Sequence, residues 1–394
     1  MIARLNVGGP AIHVINLNAG LDRARFESIL ITGTENPGEG TLLDLAVERG
    51  IQPIVIPEIV AEATLKPRDL KALAALYRLL RRERPHIVHT HTAKAGFVGR
   101  LAARLAGVPI VVHTYHGHIL HSYYSPAKTR ILRRMERGLG VLTDRIIAVS
   151  EQVKRDLVDY RVAGAEKINV IPLGFDLRPF LDSATHRGSF RRELSLDNGA
   201  PLVGIVGRIF PIKNHRLFLD AAARIAAADK AARFVIVGDG VLRHQMEAHA
   251  AGLGIADRVV FTGWRRDLPR IYADLDVLVV SSNNEGTPVS AIEAMAAACP
   301  VVATRVGGLP DLIDEDETGH LVPRGDAPAL AAAVQRLLRD REAARRLGET
   351  ARARIAERFT AERLIADIEH FYRDLLAKKG IVTTWSLPRL ATRS

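Results

Sequence analysis

At 394 residues the chain is too long for one ordinary domain and long enough for two of ~150–200 residues, each burying a full core. Hydrophobic residues make up 47% and charged residues 25%, a globular profile; no apolar run reaches the ~18–20 residues that span a bilayer, and the single cysteine, Cys299, excludes an intrachain disulfide and fits a reducing, cytoplasmic compartment. The net charge of +11 is uneven: residues 1–180 hold 25 Lys+Arg against 17 Asp+Glu, a net of +8, which points either to an anionic partner for the first half, membrane surface or nucleic acid, or to a plain solvated face.

Short apolar runs alternate with longer amphipathic stretches. The N-terminus carries no basic-then-apolar leader, and Ile2–Leu5 reads as the end of a strand whose first residues are missing. Strands are then expected at Ser28–Thr32, Ile51–Ile56, Ile87–Thr90, Ile110–Thr114 and Arg145–Ser150, and Ile168–Pro172, followed by Leu173-Gly174, reads as the end of the first domain. Between them, Asp69–Arg84 has helical spacing, with Leu70, Leu73, Leu76, Tyr77 and Leu80 on one face. The polar segment Ser183–Ala200 leads into a second series of strands: Leu202–Val206, Phe234–Val237, Val259–Thr262, Val277–Ser281, Pro300–Thr304 and Gly319–Val322. The last strong helix is Ala361–Lys378, and the tail from 380 to 394 lacks any period and reads as mobile. The fold class is α/β: two Rossmann-like domains, 1–180 and 181–360, with parallel sheets facing across a cleft at the carboxyl ends of their strands.

The sharpest motif is Glu285-Gly286-Thr287-Pro288-Val289-Ser290-Ala291-Ile292-Glu293. A strand delivers the chain to the cleft edge, and Thr287 as N-cap with Pro288 at the first helical position predicts a helix start between the two glutamates. Val289, Ile292 and Ala296 form its buried stripe. Exposed amides at Gly286 and Thr287 would face an anion such as a diphosphate, and Glu285 and Glu293 would accept from sugar and ribose hydroxyls. The alternative is a polar loop and a solvated helix face.

The partner motif is Gly204-Ile205-Val206-Gly207-Arg208 with Lys213 five residues on. Gly207 lets a ligand approach the backbone. Arg208 offers a fork of donors to phosphate oxygens and Lys213 a point charge. Cations fixed there would stabilise charge that builds on a departing diphosphate. Phe234–Gly240 ends a strand on Gly-Asp-Gly, placing Gly240 at the cleft rim with Asp239 as turn former. Gly263, Trp264 and Arg265 end the next strand; there a nucleobase would lie against the backbone, or Trp264 packs.

In the first half, Gly8-Gly9-Pro10 precedes a helix and offers amides to phosphate or acceptor groups, or is a plain turn. Val111–His121 holds four histidines, but a run that begins as a strand does not put them on one face, so no metal is assigned to it. His116 beside Gly117 is the choice for a sugar contact, His118 the reserve; His89 and His91 line the acceptor side or pack. Arg130–Arg137 predicts an amphipathic helix. Lys128, Arg130, Arg133, Arg134 and Arg137 would lie on anionic lipid and Ile131, Leu132 and Met135 on its apolar side, or the segment is an ordinary surface helix.

Taken together, Gly8-Gly9, His116-Gly117, Gly207-Arg208, Lys213 and the Glu285/Glu293 pair resemble glycosyltransferase family 4, from Asn6 to about Leu376. The resemblance implies the GT-B fold, a nucleoside diphosphate sugar as co-substrate, retention of anomeric configuration and no required metal or other cofactor. It implies that Arg208 and Lys213 bind the donor diphosphate, that Glu293 holds the ribose, that Glu285 and the Gly286–Val289 backbone hold the sugar, and that His116 touches it. It also implies that the helix 361–378 packs back on the first domain. The segments HTHTAKAGFVGRLAARLAGVP and VIPLGFDL are similar to the branch that builds capsular and other surface polysaccharides, whose acceptors are glycans or polyprenyl-linked glycans. Ala298 departs from the family's usual glycine, at small cost if its turn is not left-handed. A UDP-sugar 2-epimerase and a non-catalytic sugar-nucleotide-binding subunit are the alternatives. A nucleic-acid binder ranks last, because no basic motif is interleaved with aromatics. Oligomeric state is not legible.

Overall fold

The computed structural model describes residues 1–35, 40–62, 64, 66–117, 120, 125–197 and 199–381. The expected tail, from residue 382 on, and the reserve histidine His118 lie outside them.

Every strand pairing in the two halves is parallel. The first half contains β1 (Ile31–Thr34), β2 (Ile54–Val60), β3 (Ile87–His91), β4 (Ile110–Tyr115), β5 (Arg145–Ala148) and β6 (Ile168–Val170). β3 to β6 pair in sequence order, and β1 pairs with β2. Residues 1–5 lie between the two groups: Ile2 N donates to Ile31 O at 3.0 Å, Gly33 N to Ala3 O at 3.2 Å, and His91 N to Met1 O at 2.8 Å. The expected first strand is thus reduced to an isolated bridge, Ile2 to His91, and a few hydrogen bonds that link the two-stranded and the four-stranded sheet. The second half contains β7 (Leu202–Val206), β8 (Arg233–Val237), β9 (Val259–Gly263), β10 (Val277–Val280), β11 (Val301–Thr304) and β12 (His320–Val322), in the order β12-β11-β10-β7-β8-β9. The order reverses between β7 and β10. At such a switch point the connections leave in opposite directions and open a crevice outside the carboxyl ends.

Central strands read as unbroken apolar runs because helices cover both faces: β10 and β11 are buried at every position, as is β4. The C-terminal helix Ala361–Lys378 crosses to the first half, where Leu364, Ile368, Tyr372 and Leu375 pack with Leu17, Leu21, Ile110 and Ile147. The chain's two crossings between halves run side by side: Phe175 N donates to Phe359 O and Ala361 N to Phe175 O, both at 2.9 Å.

Three expectations need correction. The helix expected at 69–84 spans Pro67–Glu83, and its buried face is Asp69, Ala72, Leu76, Leu79 and Leu80, with Leu70 and Tyr77 exposed. A buried ion pair sets this rotation: Lys94 Nζ stands 2.8 Å from Asp69 Oδ2, drawing the Asp69 side inward. The helix expected from Pro288 starts at Val289; Pro288, not Thr287, is the capping position and its ring has no group to make a cap bond, while the Thr287 hydroxyl donates to Val149 O, in the other half. The condition for a small cost at Ala298 is not met: its φ is 56°, the left-handed conformation.

Candidate active site

β7 and β10 are adjacent, so the loops that leave them are adjacent too. The first carries Gly207, Arg208 and Lys213, the second Asn284 to Val289. Gly207 has φ 155°, a backbone state open to glycine, and it turns the chain so that Lys213 folds back over it. Lys213 Nζ then reaches Glu285 Oε1 at 2.6 Å, and Ser282 Oγ donates to the same oxygen at 2.5 Å. This holds ammonium and carboxylate, both largely buried, in fixed positions. Arg208 lies 5.1 Å from the centre of the Phe210 ring.

The two halves meet at this point. A side chain on Gly286 would put its first carbon 2.1 Å from His116 O, so only glycine allows the approach. One cleft of about 470 Å³ is lined by Gly8, Gly9 and His116 from the first half and by Gly207, Arg208, Lys213, Trp264, Arg265, Glu285, Gly286, Thr287, Pro288, Val289 and Glu293 from the second. Of the candidates singled out in the sequence, Gly263, His89 and His91 stand outside the lining, and so does Gly240. Its α-carbon packs on the backbone of Ile209, with 2.5 Å from a would-be side-chain carbon to Ile209 O, so it serves loop packing.

Glu293 is on the expected face, but it is buried rather than solvated: Tyr272 Oη donates to its Oε2 at 2.9 Å. Loss of solvent pushes its carboxyl up to about 7, with the Tyr272 bond pulling the other way. His116 is held neutral by burial, reinforced by the neighbouring His13 and His89. Its Nε2 meets His91 Nδ1 at 3.0 Å, and its Nδ1 is buried without a partner. Arg265 is already engaged by Glu193 and Asp267, which leaves Trp264, 39% exposed, as the freer of the two for a planar ligand.

Sequence reasoning missed part of the wall on the first-half side. Thr92, with φ 67°, is a β-branched residue in a left-handed state between β3 and the next helix, and it lines the cleft. Glu136 lines it as well, its Oε2 accepting from Tyr115 Oη at 2.5 Å and from Arg100 Nη2 at 2.7 Å. The signal was one acid within a run of cations, Arg130–Arg137. That helix, Pro126–Val141, is less cationic outward than expected, because Arg133 stacks on Tyr160 at 3.9 Å and Arg137 donates to Tyr160 O. Met135 faces the cleft. No helix among the described residues is long and apolar enough to cross a membrane.

Fold and cleft together define a two-domain α/β enzyme with a charged, glycine-lined site at facing switch points. Residues 7–178 match the model of Glycosyltransferase Family 4, and residues 186–354 that of Glycosyl transferases group 1. The chain is 30% identical over 344 residues to the UDP-Gal:alpha-D-GlcNAc-diphosphoundecaprenol alpha-1,3-galactosyltransferase of Escherichia coli, covering 86% of this chain and 88% of that one. It is 28% identical to the capsular polysaccharide biosynthesis glycosyltransferase CapM of Staphylococcus aureus, covering 78% and 82%. Among solved structures, Anabaena Alr3699/HepE in complex with UDP and glucose superposes with a TM-score of 0.79 at 23% identity, covering 94% of this chain and 98% of that one, a likeness of fold. The chain belongs to this glycosyltransferase family, with the GT-B fold, and is a glycosyltransferase.

Proposed function

We propose that the chain moves a hexosyl group from a nucleoside diphosphate sugar to a hydroxyl of a glycan or polyprenyl-linked glycan, with retention of configuration, in the assembly of a surface polysaccharide. The observation that carries this is the convergence of Arg208, Lys213 and the Gly286–Val289 backbone on one cleft at the β7/β10 switch point. The E. coli and S. aureus relatives, named for a lipid-linked acceptor and for capsule synthesis, support the acceptor class.

In this reading residues 181–360 hold the donor. Arg208 and Lys213 take the diphosphate, Glu293 the ribose, Trp264 the base, and Glu285 with His116 the sugar. Residues 1–180, with the helix 361–378, hold the acceptor. The bond from C1 to the diphosphate oxygen breaks as the acceptor oxygen approaches from the same face. The departing diphosphate oxygen takes the acceptor's proton, so the step needs no protein base. Negative charge grows on the diphosphate during this step. Fixed cations therefore stabilise the transition state more than the ground state. His116, being uncharged, contacts a sugar hydroxyl without opposing the cationic character that develops at C1. The acceptor would be reached at an anionic membrane face, with Arg130, Ile131 and Arg134 exposed on the basic helix.

A thermal-shift screen with UDP-, GDP- and ADP-sugars identifies the donor, since a ligand that binds only the native state raises Tm. With that donor, Lys213→Ala is expected to lower kcat by about 10²–10³-fold while the variant stays folded. Full activity in the variant removes the charge argument, and conversion of donor alone to an epimer would replace transfer with isomerisation.

A further inference from the structure

Three histidines from distant segments meet where residues 1–5, β3 and β4 end. His13 comes from the helix Gly9–Gly20, His91 from β3, and His116 from the turn after β4. Their ring centroids form a near-regular triangle of 4.8, 5.2 and 5.5 Å. One nitrogen from each lies within 4.8 Å of the other two, with His91 Nδ1 and His116 Nε2 at 3.0 Å. Both His13 nitrogens are buried without a hydrogen-bond partner, as is His116 Nδ1. Such orphaned groups are rare because each loses its water for nothing in return. Three nitrogens around a tetrahedral zinc ion sit about 3.4 Å apart, so ring rotations that open the 3.0 Å pair slightly and close the wider separations, which reach up to 4.8 Å, would supply three ligands.

We propose that His13, His91 and His116 form a binding site for one divalent transition ion. The donor set is imidazole alone, which selects zinc, cobalt or nickel over magnesium or calcium. Burial keeps all three rings in the neutral, ligating form. The proton now shared between His91 and His116 moves to the other nitrogen of the ring that carries it. His89 supports the site from behind, stacked on His91 at 4.2 Å and tied to Tyr372 Oη and Thr114 Oγ1. His116 borders the cleft and His91 borders a second cavity beside the C-terminal helix, so an ion has a way in. Bound metal would fix the His116 ring away from the donor sugar. That consequence, an inhibitory one, rests on the sugar-contact reading of His116; the site itself does not.

The test uses the full chain stripped with a chelator. Cobalt is expected to give the intense visible bands of a low-coordinate imidazole site, and zinc at 100-fold over its Kd to raise Tm by about 5 °C. His13→Leu fills the same space without an orphaned group, so its metal-free Tm should equal or exceed the parent's while both metal responses vanish. His320→Ala, which breaks the separate Glu315/Asp316/His320 cluster, should keep them. No response in the parent chain, or one that survives His13→Leu, overturns the site. Zinc should also slow transfer in the parent and not in His13→Leu. Metal binding with an unchanged transfer rate overturns the inhibition alone.

Discussion

Ala298 ends the helix Val289–Ala296 in a left-handed conformation, φ 56°, with Cys299 N donating to Ala294 O at 2.8 Å. A β-carbon there crowds the next carbonyl, at about 1–2 kcal/mol, while glycine loses more entropy on folding. Ala298→Gly is therefore expected to stabilise the chain by about 0.5–1 kcal/mol. Urea denaturation measures this, and a destabilised variant would mean the turn is unstrained. Glu293 carries a larger, pH-dependent effect. Its native carboxyl titrates at about 7 against 4.5 when unfolded, so between these values the native state holds a proton that the unfolded chain has released. Stability must fall as pH rises through that window, by roughly 3 kcal/mol in all. Glu293→Gln keeps an acceptor for Tyr272 Oη and has no proton to lose. It should match the parent near pH 4.5 and exceed it at pH 8; parallel stability curves at both pH values would refute the linkage. The position of Glu293 was legible in the sequence, because it stands about two turns beyond Gly286 on the helix that follows a strand's carboxyl end. Its environment was not. Burial of Glu293 depends on Tyr272, and the histidine triangle depends on residues about 80 and 100 positions apart.

At the scale of elements, parallel strands covered on both faces announce themselves, and β3, β4, β7, β9 and β10 fall within a residue or so of the apolar runs. The strands at the outer side of the first sheet were less legible. β1 and β2 begin three residues later than expected, and in β2 only Ile56 and Ile59 are buried, so its apolar run Ile54–Ile56 does not mark which residues face the core. The helix Ala361–Lys378 was read correctly from its period, yet periodicity cannot say which half it covers. Its packing answers that: Leu364 is fully buried and stands against Gly174 at the crossing between halves. Leu364→Ala removes buried atoms from a site bounded by two backbone segments, which leaves little room for collapse. The expected loss is about 3 kcal/mol, read as a lower urea midpoint at constant m-value. A loss under 1 kcal/mol would place the helix as an accessory to the first half's fold rather than a part of it.

For the molecule as a whole, the question is what holds the two halves together over the cleft. Several polar side-chain contacts among the described residues span it, and the surroundings of two of them rank them. Arg266 to Asp44, at 2.7 Å, joins exposed side chains that solvent and salt screen, so it contributes little. Asp311 is different. Its Oδ2 accepts from Gln152 N at 2.7 Å and its Oδ1 from Arg155 Nη2 at 3.2 Å, so a carboxylate of the second half sits on the N-terminus of a helix, Glu151–Asp159, in the first. That amide has no partner inside its own helix, and the helix dipole adds to the attraction. Separation of the halves would expose both groups to water and forfeit about 1 kcal/mol. Asp311→Ala should therefore lower the ratio of closed to open molecules by about fivefold. On the proposal that closure of the halves assembles the site and excludes water, kcat/KM for transfer should fall by a similar factor, and hydrolysis of the donor should rise relative to transfer. Small-angle scattering with donor bound should show a larger radius of gyration than for the parent. Arg266→Gln is the control, expected to change neither quantity. Equal behaviour of the two variants would mean that closure is governed by the donor's own contacts, at the switch point, and not by a carboxylate of one half capping a helix of the other.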